Sequence, residues 1–218
     1  MSGLLESPAV ERLALPDAEL RWWPHWLEDG EADALCAALW SATPWEQSEI
    51  TIAGRRLRIP RHNAWYGDPG AAYGYSGTRL ARNPWTPRLA ALRDRVQRAT
   101  GARFNSALLN CYRSGADSVD WHSDDEPELG PAPVIAVLSL GAPRRFELRH
   151  RTRPGLRRRL DLGGGSLLLM AGPMQAHWQH RIPKQPEVAG VRISLTFRLA
   201  GERRAWARDP VADPGTGC

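Results

Sequence analysis

Residues 191–199 read VRISLTFRL. Arg192, Ser194, Thr196 and Arg198 alternate with Ile193, Leu195, Phe197 and Leu199. Successive side chains of an extended chain leave opposite faces, so four polar residues share one face and four apolar residues the other. Two environments satisfy that pattern. The polar face can be the wet outside of a sheet, or it can line a polar cavity inside a jelly roll. Two arginines on an inward face would need anions to meet. A small dicarboxylate supplies them, because a guanidinium holds a carboxylate through two parallel bonds.

The segments before this strand are of the same kind. From residue 103 onward short apolar runs recur at 107–112, 134–140, 145–149, 166–170 and 191–199. Ser114-Gly115, Gly130-Pro131, Gly141-Ala142-Pro143, Gly163-Gly164-Gly165 and Gly172-Pro173 punctuate them. Many short strands with Gly and Pro between them predict an all-β core, a sandwich or jelly roll. Two helices precede it. One covers 31–40, with Leu35, Leu39 and Trp40 on one side. The other covers 87–100, with Leu89, Leu92 and Val96 at helical spacing and Gly101 as its stop. Residues 50–59, ITIAGRRLRI, read as a hairpin turning at Ala53-Gly54, and 60–78 as an ordered aromatic loop. The fold class expected is mainly β, with N-terminal helices covering one sheet. A loose leader over 1–20 and a flexible tail over 201–218 flank a single domain at 21–200.

Composition narrows the functional classes. The chain has 218 residues, 42% hydrophobic and 24% charged, which excludes disorder as the overall state. No apolar run approaches the length of a membrane span. The first twelve residues carry Glu6 and Glu11 and lack a secretion-signal pattern. Three scattered cysteines make neither a disulfide framework nor a zinc finger, and a reducing, cytoplasmic compartment is expected. The net charge is +5 and Lys184 is the single lysine, an arginine bias that genome composition explains in part. Clustering is a separate matter. Residues 144–159, RRFELRHRTRPGLRRR, hold eight arginines against Glu147. Such a stripe fits either a polyanion such as nucleic acid or a solvated hairpin.

Metal-binding residues stand out at 121–124, WHSD, where His122 and Asp124 share one face of an extended chain. A third ligand has to come from far along the sequence, and His177 and His180 in HWQH are the candidates. Two histidines and one carboxylate make the facial triad of non-heme Fe(II) oxygenases. Taken alone, a histidine two residues from an aspartate is a common coincidence.

Taken together, the segments PRHNAWYGDPGAAYGYSG (60–77), TGARFNSALLNCYRSGADSVDWHSDDE (100–126), FELRH (146–150) and HWQHRIP…RISLTFR (177–198) carry a resemblance. The chain resembles the AlkB-type Fe(II)/2-oxoglutarate dioxygenases, and among them the animal members that reverse DNA alkylation. The resemblance implies a double-stranded β-helix core and iron held by His122, Asp124 and His180. It places 2-oxoglutarate on Asn110, Tyr112, Arg192, Thr196 and Arg198, with O2 as the other co-substrate. His177 is then structural. A nucleotide-recognition region at about 45–80 is implied, with Tyr73, Tyr75, Arg61, Asp125 and Glu126 as substrate contacts. A flipped base needs an aromatic face to stack on and an acceptor for its exocyclic amine.

The activity implied is oxidative demethylation of 1-methyladenine and 3-methylcytosine in DNA. 2-Oxoglutarate would be decarboxylated and formaldehyde released, by a monomer with nucleic acid as its partner. One departure is visible. Relatives acting on duplex DNA carry a bulky finger residue on the hairpin before Pro60-Arg61, whereas this hairpin tip reads AGRRL (53–57). Arg55, Arg56 and Leu57 are the residues there that could reach nucleic acid. Three rivals share parts of the pattern. A zinc hydrolase could use the same three ligands but leaves Arg192 and Arg198 without a purpose. A dioxygenase acting on RNA or protein keeps the chemistry. A non-catalytic nucleic-acid-binding module needs only the basic stripe.

Overall fold

The computed structural model describes residues 9–52, 54–71, 74–75 and 78–201. Its elements in chain order are β1 (Glu11–Leu13), β2 (Glu19–Trp23), α1 (Asp29–Ala42), β3 (Glu49–Ile52), β4 (Arg55–Arg58), β5 (His62–Gly67), β6 (Gly74–Tyr75), β7 (Thr78–Arg79), β8 (Arg82–Asn83) and α2 (Pro87–Thr100). There follow β9 (Ser106–Tyr112), β10 (Val119–His122), β11 (Ile135–Gly141), β12 (Arg144–His150), β13 (Arg157–Leu162), β14 (Leu167–Ala171), α3 (Met174–His177), β15 (Trp178–Ile182) and β16 (Arg192–Arg198).

Two sheets face each other. The larger runs β1-β2-β14-β11-β16-β9-β5-β8, and the smaller β10-β15-β12-β13. Between them lies one core layer, where Leu108, Ile135, Val137 and Leu168 of the large sheet meet Phe146, Leu148, Leu160 and Trp178 of the small one. A second layer lies on the other side of the large sheet. There Leu39 of α1 and Leu89, Leu92 and Val96 of α2 pack on Leu109, Leu138, Ile193, Leu195 and Phe197. This is the jelly roll the strand pattern predicted, with its helices on one face. α2 starts at Thr86, whose hydroxyl accepts from Leu89 N–H at 3.2 Å, and stops at Gly101 in the left-handed region (φ 73°).

The last strand settles which of its two environments is real. All seven residues of β16 are buried. Its apolar face meets the helices, and its polar face looks between the sheets. The wet outer face is therefore excluded.

Several expectations are corrected. The second half of the supposed loose leader is ordered. β1 pairs with β2, and β2 pairs with β14 through Leu20, Arg21, Trp22 and Trp23. β14 would otherwise expose an unpaired edge, and β2 supplies the missing backbone partners. Strands this short carry too few residues for a readable period. β5 (His62–Gly67) is likewise a strand where the sequence reads as loop, and β15 has no counterpart in the sequence reading. The basic stripe is a hairpin, β12 paired to β13, and the alternation of β12 buries one of its eight arginines, Arg144. Arg144, Phe146, Leu148 and His150 point in, whereas Arg145, Glu147 and Arg149 are half-exposed. The hairpin at 50–59 is β3–β4. Residues 202–218, which hold nearly all of the expected tail, lie outside the described residues. Among those described, no helix is long and apolar enough to cross a membrane.

Candidate active site

The antiparallel pairing of β10 with β15 puts His122 directly opposite His180, with ring centroids 4.3 Å apart. Asp124 lies just past the end of β10. There its backbone N–H donates to Gln175 Oε1 at 2.9 Å. Potential ligand atoms of the three residues all lie within 4.8 Å of one another. His122 Nδ1 donates to the carbonyl of Asp120 at 2.7 Å. That fixes its tautomer and leaves Nε2 as the lone-pair nitrogen.

β10 is an edge strand with an irregular register, so side chains hold it in place. Trp121 lies beside the guanidiniums of Arg149 and Arg181, which are 4.3 and 4.4 Å from its ring centre. Ser123 Oγ donates to the Trp178 carbonyl at 2.9 Å.

The electrostatics suit a cation. Burial lowers the affinity of His122 for a proton, and it brings His180 down to about 3, so both rings are neutral at pH 7. Burial alone would raise the Asp124 carboxyl. Arg198, whose Nη2 donates to Asp124 Oδ1 at 2.7 Å, and the two imidazoles outweigh it and bring the group to about 2. Two neutral imidazoles and a carboxylate need lose no proton to take up a divalent metal.

A cavity beside these ligands continues to the polar face of β16. Asn110 and Tyr112 enter from β9 opposite Ser194 and Arg192. At its far end Arg192 is 1% exposed. Its Nη2 donates to Ser139 Oγ at 2.9 Å, and its guanidinium lies 5.2 Å from the Tyr112 ring centre. Its Nε and Nη1 have no partner. Burial lowers its pKa to about 10, which leaves it cationic at neutral pH. Unmatched buried guanidinium nitrogens are costly. Here the residue lines a cavity, where an anion would satisfy them.

The structure thus gathers His122, Asp124, His180, Asn110, Tyr112, Arg192, Thr196 and Arg198 around one cavity. Arg61 also lines it. It is buried rather than displayed, and its Nε donates to Asn110 Oδ1 at 3.0 Å. Asp125 is exposed and pairs with Arg151 at 3.3 Å, and Glu126 is half-buried beside it. Tyr73 lies outside the described residues, and of Tyr75 only its place in β6 is described. Ser139 and Gln175 escaped the sequence reading. Ser139 sits on an otherwise apolar strand opposite Ser194, and that lone polar residue was the available signal.

A second cluster, Asp17, His150 and His177, also brings three potential ligand atoms within 4.8 Å. Its hydrogen bonds argue against a metal. His150 Nδ1 accepts from the backbone N–H groups of Thr152 and Arg153, at 3.3 and 3.2 Å, so that nitrogen carries no proton. The neutral ring must then hold its proton on Nε2, which donates to Asp17 Oδ2 at 3.2 Å. Arg153 Nη2 takes the same oxygen at 3.0 Å. This cluster ties the leader to the β12–β13 turn. Titration of the metal-free protein with Co(II) is therefore expected to break at one equivalent, followed by visible absorption. A second break from a site lost in His150→Ala would overturn this assignment.

Comparison with known proteins agrees with the geometry. A family model described as the 2OG-Fe(II) oxygenase superfamily matches residues 19–198. The human "Alpha-ketoglutarate-dependent dioxygenase alkB homolog 3" is 42% identical over 185 residues, 81% of this chain and 64% of that protein. The human "DNA oxidative demethylase ALKBH2" is 42% identical over 158 residues, 69% of this chain and 60% of that protein. The chain thus spans less than two thirds of the length of these curated relatives. A solved structure, "The structure of OsALKBH1", superposes with a TM-score of 0.57 at 18% identity, over 88% of this chain and all of that one, a likeness of fold. With the match running from β2 to the end of β16, through every residue placed around the cavity, the chain belongs to the 2OG-Fe(II) oxygenase superfamily, on its AlkB-type branch.

Proposed function

We propose that this chain removes N-methyl groups from nucleobases in DNA, 1-methyladenine and 3-methylcytosine, by oxidation coupled to 2-oxoglutarate decarboxylation. The observation that carries the reading is the pair of buried, unpartnered nitrogens of Arg192, a residue that shares one cavity with a His–Asp–His cluster. The residues fit both groups the superfamily implies. His122, Asp124 and His180 supply the two nitrogens and one carboxylate that iron(II) takes in such enzymes. Arg192 has two unpartnered nitrogens, Nε and Nη1, to offer the far carboxylate of a five-carbon keto diacid.

Iron(II) with 2-oxoglutarate and O2 supplies an oxidant able to hydroxylate a C–H bond, at the cost of converting the keto acid to succinate and CO2. The protein's own task is placement. Arg192 and Tyr112 hold one end of the co-substrate, and Asn110, Thr196 and Arg198 flank its path to the metal ligands. Arg198 also keeps Asp124 ionised. Tyr73 and Tyr75 stack on a flipped base, Asp125 or Glu126 accepts from its exocyclic amine, and Arg61 steadies Asn110 behind it. The N-hydroxymethyl product then breaks its C–N bond and releases formaldehyde. Exposed Arg55, Arg56 and Arg58 on the β3–β4 hairpin, with Arg157, Arg158 and Arg159 on β13, suit the phosphate backbone.

The test is mass spectrometry of a single-stranded DNA oligonucleotide carrying 1-methyladenine, incubated with protein, Fe(II), ascorbate and 2-oxoglutarate. Loss of one CH2 per lesion is expected, together with equimolar formaldehyde. Succinate release over an unchanged oligonucleotide would move the substrate elsewhere, and parallel RNA and methyl-peptide arms would show where.

A further inference from the structure

Arg144 is a fully buried arginine with no part in the chemistry so far. It is 1% exposed, and its hydrogen bonds go to uncharged groups alone. Nη1 donates to the Ser114 carbonyl at 3.0 Å, and Nη2 to the carbonyls of Asp117 and Pro183 at 2.8 and 2.7 Å. Nε donates to Gln185 Oε1 at 3.3 Å. Its guanidinium lies 5.6 Å from the ring centre of Tyr112, the same ring that Arg192 approaches at 5.2 Å. One phenol thus packs against two buried guanidiniums.

The carbonyls come from two loops. Ser114 and Asp117 lie between β9 and β10, the strands of Tyr112 and His122. Pro183 and Gln185 lie between β15 and β16, the strands of His180 and Arg192. The loops also meet backbone to backbone. Gln185 N–H donates to the Gly115 carbonyl at 2.8 Å, and Gly115 N–H to Val188 at 2.6 Å. A Cβ at Gly115 would stand 1.6 Å from the Gln185 oxygen. The two spans joining metal ligands to the anion-holding strands are therefore bound to each other, with Arg144 as the pin.

A buried charge bonded only to dipoles is expensive. A methionine of similar length would fill the space but leave the carbonyls of Ser114, Asp117 and Pro183 without this donor, so the guanidinium fixes where the two loops sit. Two positive charges flank Tyr112, and no carboxylate is hydrogen-bonded to Arg144; Asp117 and Glu187 act on it only through space.

We propose that Arg144 is a positioning residue for the co-substrate: it stations Tyr112 against Arg192 and fixes the distance from that pair to the metal ligands. The inference rests on the 2-oxoglutarate reading above. Its consequence is selectivity for a keto acid with a second carboxylate at the right distance.

The test compares 2-oxoglutarate with 2-oxopentanoate, which has the same carbon chain but no far carboxylate. Each is titrated calorimetrically into the full chain loaded with Mn(II), without oxygen. Arg144→Met is expected to weaken 2-oxoglutarate about tenfold, to leave 2-oxopentanoate within about twofold, and to leave Mn(II) affinity unchanged. Arg144→Lys keeps the charge but not the fork that spans both loops, and is expected to lose about threefold. Equal weakening of both keto acids would mark a merely structural residue and overturn the proposal. So would a wild-type ratio of the two affinities in Arg144→Lys, which decides the matter alone should Arg144→Met not fold. Wild-type protein that does not prefer 2-oxoglutarate would instead overturn the co-substrate reading itself.

Discussion

Asp124→Ala is expected to abolish metal binding and to destabilise the metal-free protein. Both effects follow from one pair of atoms. The Asp124 carboxylate is the only anion among the three ligands, and at 2.7 Å it is also the partner of Arg198, itself 4% exposed. Removing it leaves two neutral imidazoles for the metal and a buried guanidinium facing an alkyl group. Breaking one side of a buried ion pair costs about 3–5 kcal/mol. Arg198 has further interactions within the fold, which places the expected loss at about 3 kcal/mol, the lower end of that range. Co(II) titration and thermal melting read the two effects separately. Asp124→Asn, which still offers Arg198 an acceptor, is expected to recover most of the stability and little of the metal affinity. Wild-type metal affinity in Asp124→Ala would remove the site assignment altogether.

The second large effect has the opposite sign on stability. In Arg192→Met the cavity loses the two nitrogens that have no protein partner. Affinity for 2-oxoglutarate should fall by about 100-fold or more, since charge-assisted contacts to a carboxylate in a buried site are worth at least about 3 kcal/mol. Metal binding should persist, because Arg192 touches none of the three ligands among its recorded contacts. The metal-free protein should melt at the same temperature or higher. Arg192 holds a desolvated charge in reserve for a ligand, and replacing such a group by an apolar one of similar size is neutral to stabilising by about 1–4 kcal/mol. Ser139 loses one bond and offsets a little of this. A variant that binds 2-oxoglutarate as the wild type does would show that the dicarboxylate lies elsewhere. The pair of variants separates residues that stabilise the fold while serving the metal from a residue that serves the co-substrate at the fold's expense.

Much of the architecture could be read from local chemistry. α2 has a Thr cap, a proline at its first position, three apolar residues on one face and a glycine stop, so its range was legible to the residue. The strand of Ile135–Gly141 was legible because an apolar run between Gly/Pro pairs has few other uses. Arg157–Leu162 was not. Its alternation begins with three arginines, which conceal a strand whose inward residues are Leu160 and Leu162. Glu11–Leu13 exists because β2 needs a neighbour, and that is a property of the sheet.

The chain's own order determined that 191–199 has two faces and that His122 and Asp124 leave the backbone on the same side. It could not say which face of that strand was enclosed, nor which histidine of HWQH met the other two. Those answers come from pairings between residues more than fifty positions apart: His122 with His180, and Arg192 with Tyr112. A period records how side chains divide around a backbone. What each face then meets is decided only when distant strands are brought into register and water is excluded between them.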